Sequence, residues 1–251
     1  MSRTTPKLEV RVEASGRVEA GPLRPDNQDV IVLAGTLGIA SGAYLNWHGR
    51  LPDSGLLAAV VDGMGGYAGG AQAAAIVGCG LANLTPTGTG YAWDEWFRAI
   101  SERVVDAGQA WGMNQMGATG AVLALCSDGI AIANVGDCRI YRAGNGRVEQ
   151  MTVDDRADPA SSAVTQAMGV SRRNRLIEPH VSRRPYAPGW ERYLLCTDGV
   201  WSTLDATALT DLALARVSPG QVVEAAADLL YARHGDDNGS IVIVDVASRS
   251  I

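Results

Sequence analysis

Two kinds of apolar pattern alternate along the chain: short continuous runs that stop at polar turns, and apolar residues at three- and four-residue spacing. The first suits strands buried on both faces and the second suits amphipathic helices. Leu8-Glu9-Val10-Arg11-Val12-Glu13-Ala14 alternates strictly, turns at Ser15-Gly16 and resumes to Ala20, which predicts a hairpin or a kinked strand. Residues 30–34 and 56–61 read as buried strands, and residues 35–55, with Gly38, Gly42, Asn46, Gly49 and Pro52, carry turn chemistry between them. Helical spacing follows over 71–84 and 92–105. Strands return at 117–126 and 129–135 around Ser127-Asp128-Gly129, and at 140–143 and 147–151 around Asn145-Gly146. Consecutive hairpins of this kind build an antiparallel sheet.

The pattern weakens from 152 to 190, where residues 164–169 read as the end of a short helix. It recovers in a strand ending at Cys196 and in helices over 205–215 and 219–233, the second opened by Ser218 as N-cap with Pro219 behind it. A strand over 240–246 closes the chain.

Chemistry enters where apolar runs stop. Asp29 precedes the strand at 30–34, Asp62 ends the run 56–61, Asp198 follows Cys196, and Asp237 precedes the last strand. The glycines after Asp62 lack the Lys-Ser/Thr of a phosphate loop and the Gly-x-Gly-x-x-Gly of a dinucleotide site. They read as flexible backbone that turns or approaches a ligand closely before the helix at 71. Asp128, in contrast, joins two adjacent strands and needs no chemistry. Four carboxylates gathered at one end of a sheet would repel one another and lose solvation unless cations neutralised them. Oxygen-only donors favour magnesium or manganese over zinc, and two such ions can activate water and clamp a phosphoryl oxygen.

Composition narrows the setting. The 251 residues are 47% hydrophobic, enough for a large core, and 27 acidic against 21 basic residues leave a net charge of −6. That balance disfavours a nucleic-acid partner, and no run approaches the roughly 18 apolar residues of a membrane span. Cys79, Cys126, Cys138 and Cys196 lack paired metal spacing and read as buried reduced thiols of a cytoplasmic protein. Trp93, Trp96 and Phe97 read as core, and His48, His180 and His234 as exposed or locally bonded. Arg172, Arg173, Arg175, Arg183 and Arg184 form a basic segment that suits either a solvated loop or the docking of an anionic substrate.

Arg24 with Asn27-Gln28-Asp29, Val61-Asp62-Gly63-Met64-Gly65-Gly66, Gly117-Ala118-Thr119-Gly120, residues 133–139, residues 194–199 and Asp237-Asn238 resemble, in order, the motifs of the PPM (type 2C) metal-dependent protein serine/threonine phosphatases in their bacterial form. The resemblance spans nearly the whole chain and implies one domain over 1–251. Its fold would be α+β, a central antiparallel β-sandwich flanked by helix pairs on both faces. It further implies that Asp62 bridges two Mn2+ or Mg2+ ions, that the Gly63 carbonyl completes one shell, that Asp198 and Asp237 hold the second ion, and that Asp29 lies close by. Arg24 would bind the substrate phosphate, since a planar guanidinium holds two of its oxygens. Asp137 would correspond to a ligand of a weak third ion.

The expected substrates are phosphorylated proteins of a serine/threonine kinase; an inactive binding module of the same fold and a small phosphate-ester hydrolase are the alternatives. Departures from the family pattern are Gln28 for Glu, Met64 for a general-acid His, and Ser202 for an Asp that helps the third metal. Asp154-Asp155 further replaces Asp-His, and Gly239-Ser240 replaces an apolar residue and Thr.

Overall fold

A computed structural model describes residues 8–24, 26–64, 66–113, 115–158, 163–170 and 177–250. Among the described residues, twelve strands and five helices follow in the order β1 (Leu8–Glu19), β2 (Asp29–Leu33), β3 (Thr36–Gly38), β4 (Tyr44–Arg50), β5 (Leu56–Met64), α1 (Gly66–Ala82), α2 (Trp93–Trp111), β6 (Gly117–Cys126), β7 (Gly129–Val135), β8 (Arg139–Gly144), β9 (Arg147–Gln150), β10 (His180–Arg184), β11 (Gly189–Cys196), α3 (Asp198–Thr203), α4 (Ala206–Leu214), α5 (Pro219–Ala232) and β12 (Gly239–Ser250). The strands form two six-stranded sheets, β4-β1-β12-β11-β8-β9 and β10-β7-β6-β5-β2-β3. Every strand pairing among them is antiparallel.

The strands at 30–34 and 56–61 read as continuous apolar runs because both of their faces are covered. Ile31, Leu33, Leu56, Ala58 and Val60 point into the gap between the sheets, where they meet Tyr193, Leu195, Val242 and Val244 of the facing sheet. Val30, Val32, Leu57, Ala59 and Val61 point the other way, onto Ala73, Val77, Phe97 and Val104 of α1 and α2. On the opposite side, Leu194, Cys196, Ile241 and Ile243 pack against Leu209, Leu212, Val223 and Ala226 of α4 and α5. Helices therefore cover both outer faces of a sandwich, as expected. Each fully buried Leu, Ile or Val contributes about 1.5–3 kcal/mol through removal from water.

Several expectations need correction. Residues 8–19 form one strand, β1, and Gly16 lets it pass close to Ile31 and Val242, each of which an added Cβ would meet at 3.0 Å. The stretch 35–55 holds β3 and β4 as well as turns; β4 alternates, with Leu45 and Trp47 packed on the inter-sheet core, and pairs along its length with β1. Residues 163–170 contain no helix; isolated bridges tie Arg156 to Val164 and Ala118 to Met168. Gly63 still belongs to β5, and the helix expected from 71 already begins at Gly66. Cys79 is exposed, whereas Cys126, Cys138 and Cys196 are buried.

Of the basic segment, Arg172, Arg173 and Arg175 lie outside the described residues. Arg183 and Arg184 sit on β10 rather than in a loop. Arg183 donates to the Thr89 carbonyl at 2.6 Å, and Arg184 donates to Glu191 and the Tyr193 hydroxyl. Trp93 and Phe97 are core residues, with ring centroids 6.3 Å apart.

Candidate metal centre

Strand parity decides where the first two aspartates point. Asp29 shares its face with Ile31 and Leu33, and Asp62 shares its face with Ala58 and Val60, so both project into one end of the gap between the sheets. They are also direct cross-strand partners in the β2–β5 pairing. Two like charges opposite each other destabilise a sheet unless something neutralises them. From the facing sheet, Thr197 and Ser240 continue the inward rows of Leu195 and Val242.

The Thr197 hydroxyl donates to Asp29 Oδ2 at 2.8 Å and accepts from the Ser240 N–H at 2.9 Å, which joins β2, β12 and the start of α3 through one side chain. Asp29 is 1% exposed and its Oδ1 is buried without a hydrogen-bond partner. The Ser240 hydroxyl faces this carboxylate and favours its charge, but the geometry closes no hydrogen bond between them.

Asp198 opens α3 directly after Thr197, and its carboxyl lies within hydrogen-bonding reach of Asp62. Asp137 follows β7, is 3% exposed, and is fixed through its carbonyl, which accepts from the Trp201 indole at 3.0 Å. Asp237 precedes β12; its Oδ2 accepts from Arg24 at 2.9 Å and its Oδ1 from the Asn238 N–H at 2.9 Å. Asn238 in turn donates to the carbonyls of Ala20 and Asp26 and accepts from the Gln28 N–H, so it ties the Arg24 loop to the site. Arg24 itself is half exposed and also donates to the Asp236 carbonyl.

Burial and mutual repulsion raise the proton affinity of the group. Asp29 is pushed up to about 7, first by burial and then by Asp198 and Asp237. Burial drives Asp62 well above the usual range, with the charges of Asp29, Asp198, Asp137 and Asp237 adding to it. Asp137 rises to about 6 for the same reasons, partly offset by Arg156. Asp198 is raised by burial and by Asp237. The residues singled out in the sequence are thus brought into one electrostatic cluster, while Asp128 is not. That aspartate instead anchors a distant loop by accepting from the Thr89 N–H and hydroxyl at 2.8 and 2.9 Å.

Among the described residues, no three His, Cys, Asp or Glu side chains already close on one point at ligand distance. Asp29 and Asp237 are held by protein donors, so the convergence is one of charge. A hard divalent cation nevertheless fits the donor set, which consists of oxygen atoms only and includes the orphaned Oδ1 of Asp29 and the adjoining carboxyls of Asp62 and Asp198. Gly63 contributes a backbone made crowded by design of its neighbours: a Cβ there would collide with the Gly70 carbonyl and meet the Gln28 carbonyl at 2.7 Å. Packing, rather than a left-handed backbone, requires that glycine.

Sequence reasoning missed Thr197 as the partner of Asp29 and missed the cluster around Trp201. Arg139 lies 3.7 Å over the Trp201 ring and is fixed by Asp154 through both of its carboxylate oxygens. Arg156 lies 4.9 Å from the same ring centre and 4.0 Å from Asp137. His180 is locally bonded, as expected, to Asp155 at 2.9 Å.

Consistent with a two-sheet sandwich that has helices outside and carboxylates gathered at one end, the family described as protein phosphatase 2C matches residues 45–230. The chain belongs to the protein phosphatase 2C family. Among curated proteins it is similar to the serine/threonine protein phosphatase PstP of Mycobacterium tuberculosis, with 28% identity over 213 residues, 76% of this chain and 40% of that protein. The chain therefore spans less than half the length of the curated relatives it matches.

Among solved structures it is similar to PppA, a key regulatory component of T6SS in Pseudomonas aeruginosa, at TM-score 0.78 and 25% identity over 97% of this chain and 100% of that one. It also shares the fold of the PstP catalytic domain in complex with two manganese ions, at TM-score 0.74 and 24% identity over 95% and 99% of the two chains. Among the described residues, no helix is long and apolar enough to cross a membrane.

Proposed function

We propose that the chain is one protein phosphatase domain that hydrolyses phosphoserine and phosphothreonine in proteins, using two Mn2+ or Mg2+ ions held by Asp62, Asp198 and Asp237, with Asp29 beside them and the Gly63 carbonyl completing a shell. The observation that carries this reading is the inward-facing cross-strand pair Asp29 and Asp62, joined by Asp198, Asp137 and Asp237 at the same mouth of the sandwich. No arrangement serving stability alone gathers so many carboxylates where burial and repulsion both oppose their charge.

Divalent ions bound there supply Lewis acidity for a phosphoryl oxygen and lower the pKa of a water. The protein's own part is positional. Thr197 orients Asp29 by a hydrogen bond, Asn238 fixes the loop that carries Arg24, and Arg24 presents donors to a phosphate dianion at the open side of the cluster. Pairing with Asp237 holds the guanidinium in place for that task. The substrates would be products of a serine/threonine kinase in the cytoplasm.

The test is hydrolysis of an aryl phosphate and of a phosphothreonine peptide with Mn2+, Mg2+ or a chelator present. Metal-dependent turnover of both, lost in Asp62→Ala, is the expected result. A folded protein that turns over neither substrate with any metal overturns the reading in favour of a binding module. Turnover of the aryl ester alone moves the substrate class to small phosphate esters.

A further inference from the structure

One end of the carboxylate cluster already carries a fixed cation. Arg156 Nε lies 4.0 Å from Asp137 Oδ2, and the two side chains are only 10% and 4% exposed. The Arg156 guanidinium sits 4.9 Å from the centre of the Trp201 ring, whose indole N–H holds the Asp137 carbonyl. A second guanidinium, that of Arg139, lies over the same ring and is clamped by Asp154. Backbone bridging to Val164 fixes the Arg156 position from the other side. Its charge reaches Asp198 as well as Asp137.

We propose that Arg156 takes the place beside Asp137 that a third divalent ion would fill, so that the site holds two ions and one guanidinium. The inference rests on the metal-dependent phosphatase reading.

Two further observations point the same way. Ser202, exposed on α3 four residues after Asp198 and on the same face of the helix, brings a hydroxyl and no charge to that side of the cluster. Charge balance agrees. Asp29, Asp62, Asp137, Asp198 and Asp237 carry five formal negative charges, which two divalent ions and the guanidinium beside Asp137 match, while Arg24 stays paired with Asp237 at 2.9 Å on the outer side of the cluster. A third ion would have to enter next to a buried cation that cannot lose its proton.

The experiment counts ions rather than turnover. Chelator-treated protein is dialysed against Mn2+ and the bound metal is measured per chain, with folding checked by circular dichroism. Wild type is expected to hold about two ions, and Arg156→Gln, which removes the guanidinium and its charge while keeping a polar side chain, about three. Arg156→Lys keeps the charge and is expected to stay near two. Adding Asp137→Asn to Arg156→Gln should return the count to about two.

A wild-type count near three overturns the proposal without any variant. Equal counts in wild type and folded Arg156→Gln overturn the role of Arg156 alone. A wild type that binds no Mn2+ overturns the phosphatase reading and this proposal with it.

Discussion

Asp29→Asn separates what the carboxylate cluster does for stability from what it does for metal binding. In the folded protein the Asp29 carboxyl is pushed from 3.8 up to about 7, first by burial. Below pH 4 both folded and unfolded chains hold this proton, and the group costs nothing. Between about 4 and 7 the unfolded chain has released it while the folded chain keeps it, so stability falls as pH rises, and the full cost stands above about 7. Raising the carboxyl from 3.8 to about 7 amounts to roughly 4 kcal/mol, at about 1.4 kcal/mol per tenfold in proton affinity. Asp137, raised to about 6, adds in the same direction.

An asparagine at position 29 keeps an oxygen for the Thr197 hydroxyl and directs an amide toward the unpartnered Ser240 hydroxyl, while the charge disappears. Metal-free Asp29→Asn should therefore be more stable than metal-free wild type at pH 8, by about 2–4 kcal/mol once relaxation of the neighbours is allowed for, or roughly 5–15 °C in melting temperature. At pH 5 the difference should shrink. Added Mn2+ should raise the wild-type melting temperature and raise that of the variant much less, because ligand stabilisation scales with affinity for the folded state. Scanning calorimetry at pH 5 and pH 8, with chelator and with Mn2+, reads all four quantities. A metal-free variant that melts at or below wild type at pH 8 would refute the reasoning.

Three other outcomes follow from the same contacts. Gly63→Ala drives a Cβ into the Gly70 and Gln28 carbonyls and should cost about 1–3 kcal/mol in urea unfolding, together with a loss of Mn2+ affinity of about tenfold or more in calorimetric titration. Arg192→Met should destabilise by about 3–5 kcal/mol, read from the urea midpoint. That guanidinium, 1% exposed, pairs with Asp245 and donates to the carbonyls of Ala215 and Val217 just beyond α4, and the variant strands all of them. Asp128→Ala should leave aryl-phosphate turnover within about twofold of wild type while loosening the segment around Thr89 to proteolysis; a loss as deep as that of Asp62→Ala would contradict the site assignment.

What the sequence made legible was whatever two-sided burial writes into it. β2, β5, β6 and β7 are covered on both faces and so appear as unbroken apolar runs, and the aspartates stand out because they end such runs. β4 escaped because it is an edge strand, whose glycine and asparagine hid the alternation of Leu45 and Trp47. β10, His180–Arg184, escaped because its polar residues become a strand only through pairing with β7. α3 has six residues, too few to display a helical period. Arg156 carried no local signal at all: its meaning depends on Asp137 and Trp201, one nineteen residues earlier and the other on α3.

Parity explains why the cluster lies where it does. A strand that buries both faces has no surface on which to place a charge until it leaves the sheet, so an inward carboxylate is tolerated only at a mouth of the sandwich. Asp29 and Asp62 occupy that mouth as direct partners on adjacent strands, and Thr197 and Ser240 meet them from the facing sheet on the rows set by Leu195 and Val242. The sheets that hold the carboxylates in register also keep them from separating. Their repulsion is therefore held in by the fold, and on the proposed metal-centre reading cation binding would be strongest where the metal-free chain is least stable. A chain that kept this sandwich but replaced Asp29 and Asp62 by apolar residues of similar size would be the more stable protein, and it would have lost its reason for leaving that end of the sandwich open.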